Sequence, residues 1–519
     1  MKKLFTLLLI ALAALSASAS ASEEEYYTLG ICGIQIDSYI AQTQNLTRIL
    51  TNQGYLQSGT VGFDPQTFKL TLNDAVISCP EHIIFVSTHG YSGYTEVTSL
   101  EISVNGNCVL ETDASNSNIS CIESIGNVTT TQDFIFTGNG SLTMTSGNIA
   151  FLTFNKSRVL YRFNGPDVTI NGGNYGIYST NTYDVKYEML KGTVTVNGSR
   201  RAIYNYFNAD AGIAGEMEFG DGMEIIEPEG GHLVFNPAAY TGGVMIQDGN
   251  DTPATHVKIG VRNYPLTVGG VQVTSKNRDD IVGDGKVYYN PSTNTLTLNN
   301  ATVSSERQVI ISDIAGLHLE LLGENHLITQ RNVYGLYFLE SDGVVIDGGG
   351  SLSMESAVNQ VSIGYFTHRT DPPAHTTIRN CSITTPGGMI QNEDNDCSLT
   401  VDNAYIHIGN GYFCTPPVLT LNNCHISKPE GGYVNDYGQV CGPDNNDMYW
   451  GEIEIVPDPA QVVEGDVNGD GFVTSADVTA LYNFLLNNDD STLVNGDQDG
   501  DGFITSGDVT IVYNILLGN

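Results

Sequence analysis

Two twelve-residue segments near the C-terminus constrain the fold most strongly, because their pattern is that of an oxygen-ligand loop for a divalent cation. The first begins at Asp466 and the second at Asp497, 31 residues later. Calcium loops place oxygen ligands at positions 1, 3, 5, 7, 9 and 12, with glycine at position 6 for a sharp turn. The segments therefore predict two Ca²⁺ sites. The predicted ligands are Asp466, Asn468, Asp470, Phe472, Thr474 and Asp477 in the first loop, and Asp497, Asp499, Asp501, Phe503, Thr505 and Asp508 in the second.

Two departures from an EF-hand shape this interpretation. Position 12 is Asp, one carbon shorter than the Glu of an EF-hand. An apolar helical pattern follows each loop but none precedes it, so the unit is one loop with one exiting helix, present twice. A merely solvated acidic surface is the alternative. Solvation, however, does not require glycine at position 6 of both copies, where Gly471 and Gly502 stand.

The segment from Asp466 to Asn519 resembles a type I dockerin, on the strength of these two loops and their matching helices. This resemblance implies a small all-α calcium-binding domain that docks onto a cohesin-bearing scaffold protein. It also implies that loop positions 10 and 11 contact the cohesin. The alternative interpretation is that the serines at position 10 only cap their helices. The residues at these positions are Ser475, Ala476, Ser506 and Gly507.

The charge of the chain limits its partners. There are 58 acidic and 21 basic residues, and the formal net charge is −37. Nucleic acid is excluded as a partner, because its phosphates require cationic side chains. The acidic excess suits Ca²⁺ and neutral glycans, and it helps to keep an exported protein soluble.

The N-terminus has the pattern of a secretory signal peptide, predicted over residues 1–21. Met1-Lys2-Lys3 supplies a basic region, Leu4 to Leu15 an apolar stretch, and Ala19-Ser20-Ala21 a cleavage site. The apolar stretch is too short to span a bilayer, and no other segment approaches a transmembrane helix. The protein is therefore predicted to be secreted, and to be extracellular or attached to a cell surface through a partner.

Nine cysteines are present, and none of them forms the CxxC pair typical of a zinc site. Export permits disulfides, and the odd number leaves at least one cysteine unpaired. The alternative is that several cysteines serve as small apolar residues of the core.

The body that precedes the tail contains an internal duplication. Its copies are predicted at 26–261 and 262–456, followed by a linker at 457–465. The opening segment at Tyr27 matches the one at Tyr264, and the order of the later matching segments is the same in both copies. The chain therefore carries one architecture twice before the C-terminal domain at 466–519.

A shorter motif recurs within each copy: apolar-Thr-apolar followed by Asn or Asp, as in Leu70-Thr-Leu-Asn73 and Val168-Thr-Ile-Asn171. The alternation is typical of a half-buried strand, and Asn or Gly then supplies a corner with positive φ. Neighbouring motifs lie 26 or 20 residues apart, which indicates one solenoid coil per motif. The predicted fold class is mainly β, a duplicated right-handed parallel β-helix. The alternative is a pair of β-sandwiches, whose hairpins would require more closely spaced turns.

The body resembles secreted right-handed β-helix proteins of plant-degrading and gut anaerobes that are described as carbohydrate-binding. The resemblance depends on the coil pattern and on the segment Gly-Val-Gln-Val-Thr-Ser at the start of the second copy. The catalytic sets of β-helix polygalacturonases are absent from the sequence. Asp279-Asp280 stands alone, and His89-Gly90 lacks the preceding glycine. No catalytic residue is therefore predicted.

Aromatic and basic residues of the first copy are the candidates for glycan binding. An Arg-Arg pair beside aromatics suits a uronate, and closely spaced tyrosines, including Tyr183 and Tyr187, suit a sugar-stacking strip. The alternatives are a solvated basic turn and tyrosines that strand alternation buries in the core. Trp450 is interpreted as a cap of the body. The principal candidates are Tyr175, Tyr178, Arg200, Arg201, Tyr204 and Tyr206.

Together these features predict a secreted, dockerin-bearing, carbohydrate-associated protein that binds polysaccharide through a β-helix and docks by a calcium-dependent dockerin–cohesin interaction. The alternative is a β-helix polysaccharide lyase or glycoside hydrolase that acts in polysaccharide degradation, because dockerins commonly accompany enzymes. A third interpretation is a surface protein whose tail serves only as an end that calcium makes rigid.

Overall fold

The molecule is described by a computed structural model that covers residues 24–518 with short gaps. The gaps are residues 43–44, 88–91, 114–117, 128, 181, 183, 207–214, 236–243, 331–333, 340–341, 357–362, 367–373, 389, 393–396, 412–416, 445 and 460–462. The predicted signal peptide, His89-Gly90, Tyr183, Cys414 and part of the predicted linker lie outside the described residues. The side chains of Tyr206 and Cys397 lie outside them as well.

The chain divides into two compact units. The first holds the described residues up to Tyr264 together with Gln272–Asp279, and the second holds Pro265–Val271 together with those from Asp280 onward. Strands dominate both units, which confirms the predicted mainly-β class. Among the described residues, no helix has the length and apolar character needed to cross a membrane. The helices are α1 Ser38–Gln42, α2 Asn45–Asn52, α3 Ser475–Asn487 and α4 Ser506–Leu517.

The strands of the first unit follow the alternation seen in the sequence. In the strand Ser141–Ser146, Leu142 and Met144 are buried while Thr143 between them is half-buried. Successive side chains of a strand point to opposite faces, so the apolar positions of the motif form the core. The strands are β1 Tyr26–Ile31, β2 Ile34–Asp37, β3 Leu56–Asp64, β4 Lys69–Cys79, β5 Ile84–Ser87, β6 Tyr94–Thr95, β7 Ser99–Asn105, β8 Asn107–Thr112, β9 Ile122–Ile125, β10 Thr131–Gly138, β11 Ser141–Ser146, β12 Ile149–Phe154, β13 Arg158–Asn164, β14 Asp167–Gly172, β15 Tyr175–Thr180, β16 Val185–Lys191, β17 Val194–Gly198, β18 Arg201–Tyr206, β19 Gly215–Phe219, β20 Met223–Glu227, β21 His232–Phe235, β22 Val244–Gln247 and β23 His256–Val261.

Two large sheets organise the first unit. One has the strand order β18-β15-β12-β9-β5-β1-β2, and the other has the order β19-β16-β13-β10-β7-β4-β8-β11-β14-β17-β23-β20. Most neighbours pair in parallel, so that Phe151 lies beside Ile177 and Ile177 beside Ile203. Antiparallel pairs stand at the ends, between β1 and β2 and between β17 and β23. The sheets are therefore mixed, with parallel pairing in their interior.

The strands that follow lie mainly in the second unit, although their residues up to Tyr264 and Gln272–Thr274 belong to the first. They are β24 Asn263–Val268, β25 Val271–Thr274, β26 Val287–Asn290, β27 Thr295–Asn299, β28 Thr302–Ser305, β29 Ile310–Ser312, β30 His318–Leu322, β31 Glu324–Thr329, β32 Leu336–Leu339, β33 Val344–Asp347, β34 Ser351–Ser356, β35 Ile363–Phe366, β36 Ala374–Arg379, β37 Ser382–Thr385, β38 Ile390–Asn392, β39 Cys397–Asp402, β40 Tyr405–Gly411, β41 Pro417–Asn422, β42 Cys424–Lys428, β43 Tyr433–Val434, β44 Val440–Cys441 and β45 Gly451–Pro457.

Three sheets run along the second unit. Their strand orders are β25-β24-β29-β32-β35-β38, β26-β27-β30-β33-β36-β39-β41 and β28-β31-β34-β37-β40-β45-β42. Pairing is parallel from β29 to β38, from β27 to β41 and from β28 to β40. Antiparallel pairs again stand at the ends, as between β26 and β27 and between β40 and β45. Both units thus combine parallel pairing in the interior of their sheets with antiparallel pairs at the ends.

Asparagine side chains connect strands that are one repeat apart. The amide of Asn197 donates to Asn171 at 2.8 Å, and that of Asn174 donates to Asn148 at 2.7 Å, each across 26 residues. The sequence motif recurs at this same interval. These bonds therefore help to fix the register in which one repeat stacks on the next.

The corner that ends the motif is left-handed, as the sequence predicts. The backbone φ is 51° at Asn300, 46° at Asn403 and 51° at Asn423. Short polar residues tolerate this region of φ better than other non-glycine residues do. Asn403 also donates to Asn380 at 2.9 Å, so a corner residue carries one of the bonds between repeats.

A stack of aromatic rings fills the interior of the first unit. Tyr161 of β13 and Tyr187 of β16 are fully buried, and their ring centroids are 4.9 Å apart with a 12° angle between the planes. The Tyr187 hydroxyl donates to Oδ1 of Asn205 at 2.8 Å. The prediction that Tyr187 belongs to a sugar-stacking strip is therefore wrong, because its ring points into the core.

The cysteines whose placement is described are also internal. Burial raises the pKa of the Cys121 thiol to about 12 and that of Cys381 to about 12, so both stay protonated at neutral pH. This placement agrees with the interpretation of these cysteines as small apolar core residues. The buried free thiols are Cys32, Cys79, Cys108, Cys121, Cys381, Cys424 and Cys441.

Candidate functional site

The second cation loop gathers three carboxylates at one point. Ligand oxygens of Asp497, Asp499 and Asp501 lie within 4.8 Å of one another. A backbone N–H bond from Asp501 lowers the pKa of Asp499, but burial and the carboxylates of Asp501, Asp508 and Asp497 outweigh it and hold this pKa above its ordinary value. Like charges this close are unfavourable, and a bound cation relieves their repulsion.

The backbone of this loop wraps around its first residue. Asp497 accepts hydrogen bonds from the N–H groups of Gly500 at 2.8 Å and Asp501 at 3.2 Å through Oδ1, and from Gly502 at 2.8 Å through Oδ2. Gly502 has a φ of 89°, a conformation that L side chains rarely adopt. The glycine at position 6 is thus what lets the chain turn sharply enough to collect these ligands.

The acid at position 12 is held in its ionised form. Burial raises the pKa of Asp508, but bonds from the backbone N–H groups of Thr505, Gln498 and Asp499 outweigh it and keep the pKa below its ordinary value. Thr505 N–H donates to Oδ2 at 2.7 Å. This carboxylate still has a lone pair that these bonds do not use. Asp508 is therefore fixed in place as an anion that closes the loop.

The first loop has the same backbone arrangement with one difference in charge. Asp466 accepts from the N–H groups of Gly469 at 2.8 Å and Gly471 at 2.8 Å. Position 3 is the amide Asn468, whose Nδ2 donates to Oδ2 of Asp470 at 3.0 Å. This loop thus places one carboxylate fewer at the point where the second loop crowds three, and its ligands repel one another less.

Thr474 and Thr505, predicted at ligand position 9, are the N-caps of α3 and α4. The Thr474 hydroxyl accepts from the N–H of Ala476 at 3.1 Å, and Asp477 completes a capping box with the Thr474 backbone. Thr505 and Asp508 repeat this arrangement. The cap is therefore supplied by the threonines, and not by the serines that the alternative interpretation considered.

The residues at positions 10 and 11 lie at the start of the two helices, on the surface. Ser475, Ala476 and Ser506 are exposed, whereas Gly507 is half-buried. Because the cap hydrogen bonds come from the preceding threonines, the serine hydroxyls are not required to hold the helices. They remain candidates for contact with a partner.

A small core joins the two loop-and-helix units. It is built from six buried apolar side chains, and Val467 of the first loop accepts from the N–H of Val494, just before the second loop, at 2.9 Å. Large apolar side chains outside this core recur in pairs 31 residues apart: Tyr482 with Tyr513, and Leu486 with Leu517, the leucines 77% and 69% exposed. Exposed apolar groups of this size commonly mark an interaction surface.

Comparison with known families identifies this part of the chain. Residues 464–517 match the dockerin type I domain. The C-terminal segment is a type I dockerin. No curated protein and no solved structure matches the chain.

Type I dockerins generally bind calcium, and the dockerin of this protein has the donors that this requires. Ca²⁺ prefers carboxylate and carbonyl oxygens in a flexible shell of six to eight ligands. The residues that would hold it are the two predicted sets, which begin at Asp466 and at Asp497. The crowded carboxylates of the second loop fit a divalent cation directly.

A second candidate site lies on the outer face of β15 and β18. Tyr175, Tyr178 and Tyr204 form an outer tyrosine cluster, with ring centroids 5.1 to 5.5 Å apart and planes within 22° of parallel. All three are half-buried. The structure therefore brings three of the four predicted tyrosines together on a partly accessible surface.

The two candidate arginines have different surroundings. The guanidinium carbon of Arg201 lies 4.5 Å from the centre of the Tyr204 ring, a cation–π contact. Its Nη1 is buried and has no hydrogen-bond partner among the described residues. Arg200 is exposed in the turn before β18. Arg201 thus belongs to the cluster, whereas Arg200 lies beside it.

The cluster continues across the sheet as a row that the sequence did not reveal. Phe85, Glu123, Leu152, Tyr178 and Tyr204 occupy matched positions on adjacent strands β5, β9, β12, β15 and β18. We call these five residues the aromatic row. With strands about 4.8 Å apart, the row spans ~19 Å. Sequence analysis missed Phe85 and Leu152 because their positions in the row depend on pairing between strands far apart in sequence.

The aromatic row is uncharged apart from Glu123. That carboxylate is 8% exposed and pairs with His82, whose Nε2 lies 2.6 Å from Oε2 of Glu123. A parallel row beside it contributes Ile125 and Phe154, which are also half-buried. Aromatic and aliphatic side chains thus predominate on this face, beside the charged groups of Arg201 and Glu123.

Where their placement is described, the remaining residues considered in the sequence do not assemble into a site. Asp280 accepts from the N–H groups of Gly283 and Gly285, both at 2.9 Å, so it shapes a turn. The side chain of its neighbour Asp279 is 95% exposed. Trp450 is 65% exposed, so most of its ring does not cover core residues as a cap would.

Proposed function

We propose that this chain is a secreted docking protein, attached through a cohesin by its calcium-loaded dockerin, whose first β body binds polysaccharide. The dockerin match at 464–517 supports the attachment. The aromatic row supports the binding of a glycan. Attachment and binding would together hold a glycan near the partners assembled on the same scaffold.

We infer that each body, at 26–261 and 262–456, is a right-handed parallel β-helix. Long runs of parallel pairs in register support this, together with asparagine bonds at an interval of 26 residues. The antiparallel pairs at the sheet ends would then terminate the helix and protect its edges from association with other chains. The linker at 457–465 would separate the second body from the dockerin.

Docking is proposed to use either of two equivalent faces of the dockerin. Ser475 and Ser506 start equivalent helices, and the exposed pairs Tyr482 with Tyr513 and Leu486 with Leu517 recur at the same interval. Two such similar surfaces allow a cohesin to bind in either of two orientations. The contact is expected to depend on Ca²⁺, because the loops position both helix starts.

Bulky substitutions at the two serines test this arrangement. Ser475→Trp or Ser506→Trp alone is expected to weaken cohesin binding by about twofold, the loss of one of two equivalent modes. The double variant should bind at least about a hundredfold more weakly, because both faces are blocked. Titration calorimetry against a cohesin in calcium measures this. Ser491→Trp, in the segment between α3 and the second calcium loop, is the matched control. Complete loss from one substitution would refute the dual mode.

Glycan binding is proposed for the aromatic row and the outer tyrosine cluster. Aromatic faces provide large apolar contact area with few bonds to immobilise, and the hydroxyls of Tyr178 and Tyr204 add polar contacts at the edge. A row of ~19 Å suits an extended polymer better than a single sugar. A net charge of −37 disfavours polyanions, so a neutral polysaccharide is the expected ligand.

Substitution of Tyr175, Tyr178 and Tyr204 by Ser is expected to reduce retention in gels that contain neutral polysaccharide by about tenfold, because the stacking surface is removed. The melting temperature should change by no more than a few degrees, since these rings are half-buried on the outer face. Tyr288→Ser in β26, also half-buried, is the matched control. If the triple variant unfolds instead, these tyrosines are structural and the proposed site is wrong.

The same gels distinguish the enzymatic alternative. Release of new reducing ends or of unsaturated products from xylan, pectin or a β-glucan would identify a hydrolase or a lyase. Retention without product indicates binding alone.

A further inference from the structure

We propose that the second unit carries its own polysaccharide-binding site, centred on Tyr337 at the outer face of β32 and on Tyr334 just before that strand. This inference rests on the proposed glycan binding of the first unit, and it adds a site outside the aromatic row. The ligand class is the same, a neutral polysaccharide. Each unit would then contribute one stacking surface to the whole protein.

The ring geometry of this pair matches that of the outer tyrosine cluster. The ring centroids of Tyr334 and Tyr337 are 5.3 Å apart, and their planes differ by 2°. Tyr175 and Tyr178 of the first unit have the same separation along the chain and a centroid distance of 5.1 Å. Both tyrosines of the second unit are half-buried.

The local sequence explains why the two pairs resemble each other. Tyr175-Gly-Ile-Tyr178 and Tyr334-Gly-Leu-Tyr337 share a glycine and an inward aliphatic residue between the two rings. In the first unit a Cβ at Gly176 would lie 2.3 Å from Val196, so the glycine lets β15 pack closely on β17 of the other large sheet. The buried Ile177 and Leu336 then anchor the strands, with the second tyrosine of each pair pointing outward.

The position of the pair in the second unit also corresponds to that in the first. Tyr178 lies in the sheet that contains β1, and Tyr337 lies in the sheet that contains β24. The strands β1 and β24 include the matching opening segments at Tyr27 and Tyr264. The two surfaces therefore occupy corresponding sheets of the duplicated architecture.

The row across this second sheet is free of charge. Thr267, Ile311, Tyr337, Gly364 and Gln391 occupy matched positions on β24, β29, β32, β35 and β38. None of these five residues is acidic, although the chain has 58 acidic residues. An uncharged row suits a neutral polymer, which brings no charge to be compensated.

The described strand neighbours of Tyr337 are aliphatic or lack a side chain. Leu336 and Phe338 are fully buried, which directs Tyr337 outward. On one side it lies beside Ile311, and on the other beside Gly364, which has no side chain. A sugar ring that lies against Tyr337 would therefore meet an aliphatic side chain on one flank and bare backbone on the other.

Paired substitutions in the full-length protein test this site. We compare Tyr334→Ser/Tyr337→Ser with Tyr175→Ser/Tyr178→Ser and with the combination of all four, by affinity electrophoresis in xylan and hydroxyethylcellulose. Each pair should reduce retention about five- to tenfold, and the combination should reduce it by the product of the two effects. The conservative pair Tyr334→Phe/Tyr337→Phe keeps both rings and should retain most of the binding.

The outcomes separate this inference from the proposed function. If the first-unit pair reduces retention while the second-unit pair leaves it unchanged, the second site does not exist and the proposed function stands. If only the second-unit pair reduces retention, and the first-unit pair leaves it unchanged, the first-unit site is overturned and the second-unit site is supported. No retention of the unsubstituted protein on either polymer would overturn both. If the Ser pair lowers the melting temperature, and the Phe pair reduces retention as much as the Ser pair does, these tyrosines are needed for folding and the site is refuted.

Discussion

Removal of calcium is expected to unfold the dockerin while both β bodies stay folded. The dockerin has only six buried apolar core residues, and a domain of this size rarely supplies enough hydrophobic stabilisation alone. Its second loop also crowds three carboxylates within 4.8 Å. If the free Ca²⁺ concentration is a thousandfold above the dissociation constant, each site contributes about 4 kcal/mol to folding. Loss of both sites exceeds what such a core can offset.

Hydrogen exchange of the full-length protein measures this effect. In calcium, the amides of α3 and α4 should be protected, and in a chelator they should exchange at the rate of an unfolded chain. Protection of the β strands should not change. Asp470→Ala is expected to remove the first site and Asp501→Ala the second, whereas Asp489→Ala, in the segment between the two helices, serves as the control. Equal protection of both helices with and without calcium would contradict the role given to these loops.

Tyr187→Ala is expected to destabilise the first body by about 3 to 5 kcal/mol, the range for loss of a large buried aromatic side chain. The ring is fully buried, stacks on Tyr161 at 4.9 Å and donates a hydrogen bond to Asn205. Its removal leaves a cavity between adjacent strands that the regular pairing prevents from closing. Tyr187→Phe keeps the ring and removes the hydroxyl, so it should cost only about 1 kcal/mol.

Tyr178→Ala provides the matched comparison, because Tyr178 is half-buried on the outer face of the same unit. It should change the stability by about 1 kcal/mol or less while it weakens glycan retention. Denaturant unfolding, followed by circular dichroism of the β signal, separates the two variants. Similar losses for Tyr187→Ala and Tyr178→Ala would mean that the division between core and outer tyrosines is wrong.

The sequence alone was sufficient for the dockerin because its ligands lie within twelve consecutive residues. Local geometry then places Asp497, Asp499 and Asp501 together whatever the rest of the chain does. The repeat was equally readable, because a motif that recurs at 26 residues sets which strands become neighbours. The left-handed corner at Asn423 could also be predicted, since it depends on one residue and its φ.

Tertiary structure decided which tyrosines face outward. Tyr178 and Tyr187 lie nine positions apart in strands of two different sheets, and the sequence does not state which face of each strand is buried. In the folded chain Tyr187 joins the core while Tyr178 joins the outer face. The interpretation that grouped them failed for this reason.

The aromatic row likewise could not be read from the sequence. Phe85 and Tyr204 are more than a hundred residues apart, and they share a face only because three intervening strands pair in register. The same holds for Ile311 and Gly364 beside Tyr337. Sequence determines what is set by contiguous residues and by their period, namely the cation loops, the corners and the repeat. The pairing of distant strands determines which side chains meet, because it alone fixes their register and their face.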